Sequence, residues 1–202
     1  MKKEIIQYWK DRLKYVLVKI IAGENRRVKT PMQQIILTLR LKQLLPKQIS
    51  AIELFGMHGL WHTMDYVPLV KSLDIFEINK SYHELSKKLL KKYPTRFFHE
   101  DSIRFIASTN LNYNFVVADI PYGGDFYAEN GLPHFFEDLV RIMDASGGVL
   151  IFNCHSRFLK SHKILQQHIE SQIKKHVVMD LFFLPRNDNI SYIVLCLSRS
   201  PH

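Results

Sequence analysis

Beyond residue 48, short apolar runs alternate with longer helical stretches, and this alternation limits the architectures open to the chain. Runs at 49–55, 73–78, 96–98, 115–119 and 148–153 read as strands. Stretches at 60–72, 81–93, 102–108 and 132–144 read as helices. Strand–helix alternation with short links predicts right-handed crossovers and a mostly parallel sheet. A further helix is expected over 157–176. Two last apolar runs, 177–184 and 190–197, are joined by Pro185-Arg186-Asn187-Asp188-Asn189, which predicts an antiparallel hairpin. The expected fold is therefore α/β, with helices on both faces of the sheet and a C-terminal hairpin.

Residues 1–48 follow another pattern and are read as a helical N-terminal extension to a domain spanning 49–202. Ile5, Ile6, Trp9, Leu13, Val16, Leu17, Ile20 and Ile21 recur at helical spacing, with lysines and Arg12 opposite. After a basic loop, Thr30-Pro31-Met32-Gln33 carries a capping-box signature, predicting a helix from there to about residue 45, before Pro46.

The net charge of +9 is unevenly placed. Residues 1–50 hold 12 Lys+Arg against 3 Asp+Glu, whereas the remainder holds 16 of each. So concentrated a positive charge suits a polyanion partner, and Arg26, Arg27 and Lys29 are the candidate phosphate contacts. The bland alternative is a solvated helix face. The chain has no apolar run long enough to span a bilayer and no secretory signal pattern. Its two cysteines, Cys154 and Cys196, lie in apolar runs and read as buried thiols of a cytoplasmic protein. His58 and His62 are four apart, but no Cys/His pair at zinc spacing accompanies them, so no metal site is expected.

In an open parallel sheet, ligands bind at the carboxyl ends of the strands. The first strand ends in Glu53-Leu54-Phe55-Gly56-Met57-His58-Gly59, a turn whose glycines allow close backbone approach. The second ends at Glu77 and Ile78, with the acid placed to accept from ribose hydroxyls. After the third come Asp101 and Ser102, and Asp101 also reads as a helix N-cap. The fourth stops abruptly at Asp119-Ile120-Pro121-Tyr122-Gly123-Gly124: a carboxylate, a rigid kink, an aromatic face and space beside it. That set suits an amino group on a planar ring, whose hydrogens Asp119 and the Ile120 carbonyl accept while Tyr122 stacks on the ring. Asn153, at the tip of the fifth strand, joins by location, as do His134 and His155 more weakly.

Residues 49–197 resemble the class I S-adenosylmethionine-dependent methyltransferases, which have a Rossmann-like seven-stranded sheet. The motifs stand in that family's order, with 24 residues from Glu53 to Glu77, 24 more to Asp101 and 18 to Asp119. The resemblance implies S-adenosyl-L-methionine as cofactor. It implies that Glu53, Gly56 and Gly59 lie at its methionine part, Glu77 at the ribose, and Asp101 and Ser102 at the adenine, with Phe55, Ile78 and Asp119 also among the cofactor-binding residues. Asp119 to Tyr122 resembles the signature of enzymes that methylate exocyclic amines of nucleobases, which implies an RNA or DNA substrate, RNA foremost. Met57 stands where the family carries a glycine, and Ile120 replaces the signature's first proline. A small-molecule amine methyltransferase and a non-catalytic nucleic-acid-binding member of the fold are the alternatives.

Overall fold

The structure, a computed structural model, describes residues 30–57, 59, 62–120, 132–143, 146–155, 176–187 and 190–199. The expected helix at 4–22, residues 157–175 of the helix expected to reach about 176, the basic loop with Arg26, Arg27 and Lys29, and the segment from Pro121 to Gly124 lie outside these residues, and His176 opens a strand instead.

Helix α1 is Pro31–Leu41. Its start is the predicted capping box: the Gln33 amide donates to Thr30 Oγ1 at 3.1 Å, and the Thr30 amide donates to Gln33 Oε1 at 3.2 Å. It ends earlier than the sequence suggested. Gln43 adopts a left-handed φ of 59°, and the amides of Gln43 and Leu44 fold back onto the carbonyls of Arg40 and Leu39. This is a Schellman closure with a glutamine in the place usually taken by glycine.

Seven strands follow: β1 Ile49–Leu54, β2 Val70–Phe76, β3 Thr95–Phe98, β4 Phe115–Ala118, β5 Gly147–His155, β6 His176–Asn187 and β7 Ile190–Arg199. They form one sheet in the order β3-β2-β1-β4-β5-β7-β6. Strands β1 to β5 pair in parallel; β7 runs antiparallel to both β5 and β6. The hairpin strands extend further than predicted, because Pro185 continues β6 instead of opening the turn. β6 is an edge strand and its register shifts between Pro185 and Asn187, so the missing amide is tolerated there.

The remaining helices are α2 Thr63–Tyr66, α3 Lys80–Leu90, α4 Ser102–Ser108 and α5 Leu132–Arg141. The continuous helix predicted over 60–72 is not formed. A single α-turn passes into a 3-10 turn at Val67–Leu69, and β2 begins at Val70. Pro68 supplies no amide to extend the α-helix, and Val70 instead pairs with Ile49 of β1.

Two cores flank the sheet. On one face Ile106 of α4 and Phe135, Phe136, Leu139 and Val140 of α5 pack on Ile52, Leu54, Val116 and Leu150. On the other, Met32, Ile35, Ile36 and Leu39 of α1 join Tyr66 and Leu90 over Ala51, Leu73, Val117 and Ile151. Cys196 is buried on that second side, and burial pushes its thiol up to about 12, reinforced by nearby Asp180. Among the described residues, no helix is long and apolar enough to cross a membrane.

Candidate functional site: the carboxyl edge of the sheet

Strand alternation decides which way the tip residues point. Ala51, Val117 and Ile151 face the second core, so Glu53, Asp119 and Asn153, each two residues on, emerge on that same side. β4 lies between β1 and β5, and the register pairs Glu53 with Val117 and Val117 with Ile151. One face thus gathers a carboxylate, a second carboxylate and an amide from three adjacent strands.

The three are joined through α2. Glu53 is fully buried, and its carboxylate accepts from Thr63 Oγ1 at 2.7 and 2.8 Å and from the Tyr66 hydroxyl at 2.5 Å. Burial and the adjacent carboxylate hold the Tyr66 phenol well above its ordinary pKa, so it acts as a proton donor in the bond. His62 sits beside them with Nε2 3.1 Å from Glu53 Oε1 and Nδ1 3.7 Å from Asp119 Oδ2. Asn153 Nδ2 donates to Asp119 Oδ1. Tyr192 of β7, in register with Asn153, meets the His62 ring edge-on at 6.3 Å. His62, weighed from sequence only as a metal ligand, is thus built into the site. No local sequence pattern marked it, since the contact depends on where α2 lies relative to Glu53.

The turn after β1 has an unusual backbone. Phe55, Met57 and Gly59 all have positive φ, at 59°, 44° and 69°. Only glycine adopts this region without strain, so two side chains are being carried in a glycine-type loop. The loop is held from several sides. The Met57 amide donates to Glu77 Oε2 at 2.8 Å, and the Met57 carbonyl accepts from Ser86 Oγ of α3 at 2.8 Å. The Phe55 amide donates to Ser102 Oγ at 3.3 Å. A Cβ at Gly56 would come within 2.4 Å of Ile75 Cγ2, so Gly56 is required by packing on β2.

Glu77 lies just past β2, with its other oxygen accepting from the Asn79 amide at 2.6 Å. Its pKa is raised by burial, against the opposing pull of the Asn79 and Met57 amides and His99. Ile78 beside it is 66% exposed, an apolar platform at the sheet edge. Its carbonyl accepts from His99 Nε2 at 2.8 Å. Asp101 caps α4, accepting from the Ile103 amide at 2.8 Å with one oxygen. Ser102 is buried behind it, and Ile120 packs into the first core.

The strand order, with β7 alone reversed, is the Rossmann-like fold of the class I S-adenosylmethionine-dependent methyltransferases. Among solved structures, the chain is similar to an S-adenosylmethionine-dependent methyltransferase from Clostridium acetobutylicum, with TM-score 0.62 and 11% identity over 94% of this chain and 99% of that one. It is also similar to the N-methyltransferase NodS from Bradyrhizobium japonicum, with TM-score 0.59 and 12% identity over 83% and 94% of the two chains. An rRNA methylase from Streptococcus thermophilus matches with TM-score 0.56 and 12% identity over 87% and 100%. At these identities the likeness is one of fold. No protein-family model matches the sequence, and no curated protein matches it.

Proposed function

We propose that this chain is an S-adenosylmethionine-dependent N-methyltransferase acting on an exocyclic amine of a nucleobase in RNA or DNA. The observation that carries the reading is the strained turn: Phe55 and Met57 hold a glycine-type backbone at the carboxyl end of β1. Strain of this kind persists where function needs the geometry.

The donor set fits the cofactor. S-adenosylmethionine presents ribose hydroxyls, an adenine amino group and a sulfonium cation, and the edge presents acceptors and negative charge at Glu77, Asp101 and Asp119. Glu77 accepts one backbone amide on each oxygen and retains lone pairs for two hydroxyls. Ile78 offers its exposed face to the adenine, and Asp101 has one oxygen outside its cap bond. When bound, the cofactor supplies an electrophilic methyl group, so the protein's work is orientation and charge.

An exocyclic amine is a poor nucleophile while its lone pair is delocalised into the ring. Asp119, held by Asn153, is placed to accept one amine hydrogen and favour a more tetrahedral nitrogen. Ile120 brings its backbone carbonyl, and Tyr122 a stacking face, to the same task. Arg26, Arg27 and Lys29 supply phosphate contacts that position a nucleic acid and read no sequence. The similarity to an rRNA methylase supports RNA over DNA.

The side chains at positions 55 and 57 also favour a second reading, a non-catalytic nucleic-acid-binding member of the fold. Calorimetric titration with S-adenosylmethionine and S-adenosylhomocysteine, beside Glu77→Ala, separates the two. Binding that Glu77→Ala removes supports the enzyme and warrants a methyl-transfer screen over RNA, DNA and small amines. Absence of binding to either compound overturns it.

A further inference from the structure

We infer that the lysine stripe on the outer face of α3 is a second phosphate-contact surface, along which a nucleic-acid strand is held and led to the carboxyl edge of the sheet. The inference rests on the reading of the substrate as a nucleic acid and adds where the domain holds it.

Charge is segregated on this helix. Residues 80–92 hold five lysines and one acid, Glu84, whereas residues 51–202 as a whole hold 16 Lys+Arg and 16 Asp+Glu. Outside 80–92, that region therefore carries 11 bases against 15 acids. One short element is basic in a domain that is otherwise acidic.

Helical spacing turns the run into a face. Lys80, Lys87, Lys88 and Lys91 stand at i, i+7, i+8 and i+11, an arc of about 100° at 3.6 residues per turn. All four are exposed, while α3 packs on the sheet through His83, Leu85, Ser86 and Leu90. Glu84 lies within the arc and reaches Lys87 at 3.5 Å. Among the described residues, Lys80, Lys88 and Lys91 form no ion pair.

Helix electrostatics accounts for only part of this. The macrodipole favours Lys87 and Lys88 in the last turn. Lys80 stands in the first turn, where a cation is disfavoured and no acid accompanies it. Lys87 and Lys91 are four apart and Lys88 and Lys91 three apart, so like charges face each other across one turn. A row of cations that repel one another is complemented by regularly spaced negative charge, which a phosphodiester backbone carries.

Position ties the stripe to the candidate site. Lys80 is three residues past Glu77 and two past Ile78, at the carboxyl edge. From there to Lys91 the stripe runs about 16 Å, long enough for several phosphates at the spacing of about 3.4 Å along one strand of a duplex.

The test is fluorescence anisotropy of the full chain with fluorescein-labelled oligouridine, read as the slope of log affinity against log salt between about 50 and 200 mM. Lys80→Gln, Lys88→Gln and Lys91→Gln together remove three charges, and glutamine keeps the helix propensity of lysine. The slope should fall by about 2, at about 0.7 per single-strand contact. Lys88→Gln alone should lower it by about 0.7 and carries the same test with the least disturbance of the helix. Lys47→Gln with Lys71→Gln, exposed positions at the amino edge of the sheet, is the control and should leave the slope unchanged. A slope kept by the triple variant, or lowered as much per charge in the control, overturns this surface and leaves the nucleic-acid reading standing. Wild-type protein that binds no oligouridine at about 50 mM salt overturns both. Loss of binding to phosphatidylserine vesicles in the triple variant, with the RNA slope unmoved, would assign the stripe to a lipid surface and overturn the inference as well.

Discussion

The Met57 amide donates to the Glu77 carboxylate at 2.8 Å, tying the turn after β1 to the tip of β2. The bond forms because Met57 turns through a positive φ, which aims its amide across the gap between adjacent strands. A strained residue therefore fixes the side chain assigned to the ribose.

Met57→Gly relieves the left-handed strain, about 1–2 kcal/mol for an L residue, against about 0.5–1 kcal/mol of extra chain entropy in the unfolded state. The net expectation is a stability gain between zero and about 1.5 kcal/mol with cofactor affinity kept. Phe55→Gly relieves the same strain but removes a half-buried ring packed 5.9 Å from Phe135, and should lose about 2 kcal/mol. Urea denaturation of the two variants should move the midpoint in opposite directions. Equal destabilisation would mean that the Met57 side chain has a packing role of its own.

Much of the fold was legible because apolar periodicity survives in every element that packs. α4, for example, starts at the predicted Ser102 and stops at the predicted Ser108. The largest departure was the 60–72 stretch, where the apolar spacing of a helix is present but Pro68 and the pairing of Val70 with Ile49 favour a turn and a longer strand. The site was half legible. Acids at strand tips could be read from position, and extending the two-residue alternation from Ala51, Val117 and Ile151 places Glu53, Asp119 and Asn153 on one face. That Glu53 is committed to Thr63, Tyr66 and His62 depends on where the short α2 crosses, which no local pattern encodes.

Gly56→Ala should destabilise by about 1–3 kcal/mol, the usual range for overpacking, since the new methyl would lie 2.4 Å from Ile75 Cγ2. Ile75→Ala removes that atom. In the double variant the cost of Gly56→Ala should therefore fall well below its cost alone. A strictly additive cycle would show that the glycine serves the loop backbone and not the contact with β2.

Glu77 should give stability and binding opposite pH dependences. Its folded pKa lies above the unfolded value, chiefly through burial. Its contribution to stability is therefore complete below the unfolded pKa and is lost as pH rises through the folded one. The stability difference between wild type and Glu77→Ala should thus decrease from acid towards neutral pH in the protein without cofactor. Ribose hydroxyls donate to the ionised form, so cofactor affinity should increase over the same interval. Denaturation and calorimetry at matched pH values check both; parallel trends would remove Glu77 from the ribose site.

The proposed phosphate contacts of Arg26, Arg27 and Lys29 are tested by the salt dependence of nucleic-acid binding. Each phosphate contact neutralised by Lys or Arg contributes about 0.7 to the slope of log affinity against log salt for single strands and about 0.9 for duplex DNA. Replacing Arg26, Arg27 and Lys29 together by alanine should lower the slope by about 2–3 if all three touch phosphate. The loss should be similar for unrelated sequences, because phosphate contacts carry no base information. S-adenosylmethionine binding should be unchanged if these residues act on phosphate alone. A loss confined to one RNA sequence would mean that they read bases. An unchanged slope would return the positive charge of residues 1–50 to the role of a solvated surface and move the nucleic-acid contact elsewhere.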